Sequence, residues 1–128
     1  MRRTSLTVAL IVVLSVPAFG SYVGSYADWR ALSAEQKSGY VMGAYDSGLI
    51  TFSENDPYSE ANSRGISSCA QQSKLNSGML VQLVDTYYAQ HPDSWTLPPS
   101  QVLGTGLFAM CKTYINNFRN AKGLDLLK

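Results

Sequence analysis

The chain has 128 residues, with ten Lys and Arg against nine Asp and Glu, one histidine and two cysteines. That length fits a single domain with one modest core. The balanced and scattered charge excludes functions that need a strong positive field, such as wrapping nucleic acid or coating an anionic membrane, and a lone histidine gives no ligand spacing for a metal site.

The first twenty residues are organised as a secretory signal peptide, with Arg2 and Arg3 ahead of an apolar run from Leu6 to Val16 and then the small-residue pattern Ala18-Phe19-Gly20. The run is about 11 residues, whereas crossing a bilayer takes roughly 20, so the segment is read as a leader cleaved near Gly20. Residues 21–128 are then the domain. Without Arg2 and Arg3, eight basic residues remain against nine acidic ones, a nearly neutral chain. No cysteine stands at the cleavage region to take a lipid, so a soluble periplasmic protein is expected, free of the membrane after cleavage. Export also removes the reducing cytosolic poise, and Cys69 and Cys111 are therefore expected to pair as a disulfide. Closing a loop of about 42 residues stabilises a fold by about 4 kcal/mol in the chain-entropy model, a large share of a total of roughly 5–15 kcal/mol.

In chain order after Tyr26, Asp28-Trp29-Arg30-Ala31-Leu32 reads as a short helical turn. Ser33 with Gln36 three residues on matches a capping box, so a first principal helix starts at Ala34 and ends near Phe52. Gly39, Gly43 and Gly48 each cost about 1 kcal/mol of helix propensity relative to Ala. The expected compensation is close approach of another helix where Tyr40, Ala44 and Ser47 share one face with Gly43 and Gly48 beside it. The stretch Ser53 to Gly65 is polar, lacks an apolar period and is punctuated by Pro57 and Gly65, so it reads as a long surface loop; loops of that length inside compact domains are often functional. Asn76 or Ser77 caps a second helix whose Leu80, Leu83, Val84 and Tyr87 fit a period near 3.6. It stops at His91-Pro92, because the residue before a proline is pushed out of the helical region. Pro98-Pro99-Ser100 opens a third helix with an apolar stripe from Val102 to Phe118 that ends at Lys122-Gly123. No alternating strand pair occurs, so the expected fold is all-α: a small single-domain bundle of three principal helices plus short ones.

Catalysis finds little support in these residues. A Cys–His nucleophile needs a free thiol, which a Cys69–Cys111 pair consumes. His91 is expected instead at a helix C-terminus, where its charged form suits the dipole. Asp46 and Asp85 fall inside apolar helices and could form an acid/base pair, although such residues more often face solvent or bond a tyrosine hydroxyl or a helix end. Phosphate-loop, nucleotide-binding and hydrolase-elbow patterns do not occur. The chain is read as a binding protein without enzymatic activity, cofactor or metal, and an aromatic such as Tyr58 in the long polar stretch is what the centre of a protein interface favours.

Two stretches carry a family likeness. Gly39-Tyr40-Val41-Met42-Gly43-Ala44-Tyr45-Asp46 resembles the G-Y-x-x-G-x-x-D helix of Rap/Tai immunity proteins of type VI secretion. The run from Cys69 through Leu83-Val84, Tyr87-Tyr88-Ala89-Gln90-His91-Pro92-Asp93 and Pro99-Ser100-Gln101-Val102-Leu103 to Cys111 is similar to the same family. The resemblance implies a helical periplasmic protein that binds a peptidoglycan amidase effector, the cognate secreted toxin, and blocks its active site. Tyr40, Gly43, Asp46, His91 and Pro92 then have structural roles. Inhibition of this kind needs only a rigid surface with a protruding element, and the expected element is the Glu54, Asp56, Tyr58 and Glu60 segment with Tyr58 as anchor. A small-residue helix face also self-associates readily, so a homodimer stays open. The alternative reading is a periplasmic acid-stress chaperone of the HdeA kind, likewise small, helical and held by one disulfide.

Overall fold

A computed structural model describes residues 22–50 and 55–128, with only the backbone given for Leu49 and Ile50. The expected leader, residues 1–20, and Glu54 lie outside the described residues. The elements are α1 (Tyr26–Ala31), α2 (Ala34–Ile50), α3 (Pro57–Gln72), α4 (Ser77–Gln90), a 3-10 turn (Pro92–Ser94), α5 (Pro99–Met110) and α6 (Lys112–Ala121). There is no strand among the described residues, and none of their helices is long and apolar enough to cross a membrane. The all-α expectation holds.

Local chemistry sets most of the helix starts. Ser33 and Gln36 form the capping box of α2: the Gln36 side chain accepts from the Ser33 amide at 2.8 Å, and Ser33 Oγ accepts from the Gln36 amide at 3.2 Å. Asn76 caps α4 by accepting from the Met79 amide at 3.1 Å. That helix ends at His91, whose amide donates to the Tyr87 carbonyl at 2.9 Å before Pro92 opens the 3-10 turn. The ends of α3 and α6 share one device. After α6, Gly123 at φ +66° reverses the chain while its amide and that of Leu124 donate to Asn120 and Arg119. After α3, Lys74 takes the same left-handed conformation at φ 51°.

Two expectations are corrected. The long surface loop is absent from Asp56 onward, because α3 occupies Pro57–Gln72. Asp56 caps it by accepting from the Tyr58 amide at 3.0 Å, and Pro57 stands at the first helical position, where its missing N–H costs nothing. The buried stripe of this helix is Ala61, Gly65, Ile66 and Cys69, mostly too small to register as an apolar period. The third expected helix is two: Cys111, at φ −95° and ψ 9°, separates α5 from α6, and it is disulfide-bonded to Cys69 with a Cα–Cα distance of 5.6 Å.

The helices pack into two cores. In the larger one, α1, α2, α4 and α5 bury Trp29, Val41, Leu80, Val84, Tyr88, Val102 and Leu103. Burying one large aromatic removes about 150–250 Å² from water, or roughly 4–6 kcal/mol at 25 cal/mol per Å² as an upper bound. Both polar tips here are satisfied. Trp29 Nε1 donates to Asp85 Oδ1 at 2.7 Å, and the Tyr88 hydroxyl donates to the Leu97 carbonyl at 2.7 Å. Tyr40 meets Trp29 edge-on at 5.9 Å between centroids, and its hydroxyl accepts from the Ser100 amide at 3.2 Å. The smaller core joins α3 to α6 through Ile66, Ile115 and the buried disulfide, and Tyr45 packs against both cores.

Helices approach most closely at Gly65 and Gly106. A Cβ on Gly65 would stand 2.5 Å from Ile115 Cα, and one on Gly106 would stand 2.9 Å from Leu83 Cγ. The glycines of α2 do not act this way: a Cβ on Gly39, Gly43 or Gly48 would meet nothing within 4 Å. The close-packing role expected of Gly43 is therefore corrected. It lies on the exposed side of α2, away from the α4 and α5 contacts that bury Val41.

Along α3 and α6 the pairing is antiparallel. Asn62 meets Arg119, Gly65 meets Ile115, and Cys69 meets Cys111, so each step forward on α3 is matched by a step of about one turn back on α6. The backbone at Ile115 cannot yield as a side chain could, so Gly65→Ala should destabilise the protein by about 2 kcal/mol or more. Gly43→Ala should instead stabilise it by roughly 0.5–1 kcal/mol. Urea midpoints of the two variants against the parent chain measure both. Burial, with a small contribution from Tyr40, pushes the Tyr88 phenol from 10.0 up to about 12. Its folded state favours the protonated phenol, so the associated stability is complete below pH 10 and declines as the pH rises toward 12. Tyr88→Phe should flatten that alkaline loss in urea titrations, at a cost of about 1 kcal/mol near neutrality from the unpaired Leu97 carbonyl.

Candidate partner-binding face

Of the residues expected to contact a partner, Asp56, Tyr58 and Glu60 fall at the start of α3, and Tyr58 and Glu60 join it to α6. Asp56 is the helix cap. Tyr58 is 37% exposed, with its inner face beneath the Arg119 guanidinium, 5.1 Å from the ring centroid. Glu60 accepts from Arg64 at 2.8 Å within the helix and from Lys122 at 2.6 Å across to the end of α6. These two cations, the Lys122 hydrogen bond first and the Arg64 one second, hold the Glu60 carboxyl below the usual carboxylate range. Glu54 lies outside the described residues.

Arg119 is the residue that sequence reasoning missed. In the sequence it stands among scattered basic residues near a helix end, where the dipole alone accounts for it. In the structure it is only 9% exposed. Nε and Nη2 both donate to Asn62 Oδ1, at 3.0 and 2.9 Å, and Nη1 donates to the Asp125 carbonyl at 3.1 Å. Among the described residues its partners are the Asn62 amide oxygen, the Asp125 carbonyl and the Tyr58 ring. Since Asn62 and Arg119 stand 57 residues apart, no local pattern could have signalled the pair.

The adjoining face of α3 borders a groove. Asn62, Ser63 and Ile66 form one wall, Ala44, Tyr45 and Gly48 of α2 the other, and Leu103, Leu107 and Phe108 of α5 the floor. It arises because α2 packs on α4 and α5 while α3 packs on α6, leaving the two cores joined mainly through Tyr45. Its volume is about 260 Å³, below the ~300–1,000 Å³ of small-molecule sites. A single side chain of another protein is the size of object that fits.

Asp46 and Asp85, the two carboxylates that could have formed an acid/base pair, do not come together. Asp85 Oδ1 accepts from Trp29 and, at 3.2 Å, from Lys37, whose ammonium also stands 4.8 Å from the Trp29 ring centroid. Asp46 is exposed on α2 and nine residues beyond Lys37, about 13 Å along the helix axis. His91 caps α4 as expected, stacked on Tyr87 at 4.2 Å with Nδ1 2.9 Å from the Tyr87 carbonyl. Both cysteines are in the disulfide.

No family model matches this chain, and neither a curated protein nor a solved structure matches it. The described residues contain no cluster of three or more His, Cys, Asp or Glu placed to hold a metal. What the face offers is preorganisation: a half-exposed tyrosine whose ring is held from behind by a buried cation, beside a groove and a carboxylate engaged by two cations.

Because Glu60 has a lowered folded pKa, the stability it contributes is present above its ordinary value of 4.5 and is lost as the pH falls through the lower folded value. The urea midpoint of the parent chain should therefore drop more steeply between about pH 6 and about pH 3 than that of Glu60→Gln. Equal slopes for the two chains would show that the Lys122 contact does not act in solution.

Proposed function

We propose that the protein is a periplasmic immunity protein that binds a type VI secreted peptidoglycan amidase and inhibits it by occluding the active site. The observation that carries this reading is the fixed presentation of Tyr58 at the first turn of α3, with Arg119 against its inner face and its outer edge in solvent. An inhibitor gains affinity when its anchor is already ordered, because side-chain freedom is then not lost on binding. Buried aromatic anchors carry a large part of the binding energy in such interfaces. The protruding element in this reading is a capped helix start, not a flexible loop, and Asp56 and Glu60 flank the anchor. The family resemblance of the Gly39–Asp46 and Cys69–Cys111 stretches supports the same reading, as does a leader ending near Gly20.

A second reading, an acid-stress chaperone, draws on one observation: protonation of Glu60 removes a contact between α3 and α6, over the smaller core. Fluorescence of Trp29 and Trp95 through an acid titration, with an apolar dye present, separates the two. A chaperone opens and binds dye; an inhibitor keeps its fold.

The direct test is the affinity of the oxidised protein, residues 21–128, for candidate amidases. A Kd near the nanomolar range typical of preformed inhibitory interfaces is expected, with Tyr58→Ala weakening it about 30-fold, the loss of roughly 2 kcal/mol that marks an anchor. Circular dichroism of the variant must match the parent. Absence of binding at micromolar concentration rejects the inhibitor reading, and full affinity in Tyr58→Ala rejects this anchor.

A further inference from the structure

After the reversal at Gly123, residues 124–128 run back along α6 without secondary structure of their own. They are held as a bound peptide is held. Asn116 contacts both backbone groups of one residue: its Nδ2 donates to the Leu127 carbonyl at 3.2 Å, and its Oδ1 accepts from the Leu127 amide at 2.8 Å. Two residues earlier, Arg119 Nη1 donates to the Asp125 carbonyl at 3.1 Å. The Leu127 side chain packs against the smaller core of Ile66, Ile115 and the disulfide, while Leu126 is 51% exposed.

A carboxamide presents one donor and one acceptor side by side, so it pairs with an N–H and C=O of a passing chain as a neighbouring strand would. Main-chain pairing of this kind gives affinity for a backbone without regard to sequence, and a pocket for one side chain supplies the selectivity. Among the described residues every polar contact to the segment goes to its backbone, and the side chain that packs inward is a leucine. Nothing in this recognition requires the segment to be covalently continuous with α6.

We propose that the cleft along α6, formed by Asn116, Arg119 and the Leu127 pocket, is a peptide-binding site occupied in cis by residues 124–128, and that it accepts a leucine-bearing segment of another polypeptide in their place. Competition sets the conditions. A segment joined by so short a connection has an effective concentration on the order of millimolar, so an incoming peptide competes only when it binds more tightly or when the cis segment is weakened. The proposal does not depend on the inhibitor reading: peptide capture can fail while amidase binding stands, and the reverse.

The test uses the full-length domain with Leu127→Ala, which removes the side-chain anchor of the cis segment and leaves Asn116 in place. A fluorescein-labelled, amidated peptide with the sequence of residues 124–128 is titrated and followed by anisotropy. The Leu127→Ala chain should bind at least about tenfold more tightly than the parent, and adding Asn116→Ala should abolish that gain while the circular dichroism is unchanged. A peptide whose fourth residue is alanine should not bind. In the parent chain, hydrogen exchange should show the Leu127 amide opening faster than the amides of α6, since the segment must release without unfolding the helix. Equal affinity of the parent and Leu127→Ala chains, binding indifferent to Asn116, or a Leu127 amide as protected as the α6 core each overturns the proposal. A parent chain that sediments as a segment-exchanged dimer and captures no peptide assigns the cleft to a second copy and overturns it too.

Discussion

The contact on which the rest depends is the backbone approach of α3 to α6 at Gly65 and Ile115. Only a residue without Cβ permits it, since any side chain there would press on the Ile115 backbone. Once the axes are that close, the pairs on either side fall into register. The disulfide closes one end of the interface and the Asn62–Arg119 contact the other, with Tyr58, Glu60 and Lys122 continuing the seam beyond it. Separating the helices at one of these points would pull on all of them, because they share two rigid elements.

This seam also explains why the protein has a groove. The smaller core satisfies α3 by pairing it with α6, so α3 has little need of α2. The larger core is completed by α1, α2, α4 and α5, around Trp29 and Tyr88. Tyr45 touches both cores, and burial, with some contribution from Asp46, raises its phenol pKa. The space beside it is left between two independently satisfied units. Arg119 belongs to both the seam and the cleft: one side of its guanidinium orders Asn62 and Tyr58, and another nitrogen holds the 124–128 segment.

Where the residues themselves carried local chemistry, the sequence was legible. Ser33 with Gln36, Asn76 before α4, and His91-Pro92 after it each act over one turn of chain, and each does in the structure what its pattern indicates. The start of α3 was also written locally, as Asp56-Pro57, but was hidden by its polar continuation. Its buried face consists of Ala61, Gly65 and Cys69 with one larger residue, Ile66. Apolar periodicity detects volume, and this helix gains its burial through closeness.

The reverse error arose in α2. Three glycines there suggested a close approach, yet the neighbouring helices contact its other side. Glycine permits proximity without specifying where a partner helix will lie. By itself the sequence determined the all-α class, the caps and the pairing of its two cysteines, because these follow from side chains acting on their own backbone or from having only one available partner. Tertiary structure alone decided which glycines are crowded, that Asp85 serves Trp29 and Lys37, and that Arg119 is a buried anchor. Those outcomes depend on contacts across 23 to 57 residues of chain, from Leu83 against Gly106 to Asn62 against Arg119, and no local pattern encodes the distance between two helices until both have been packed.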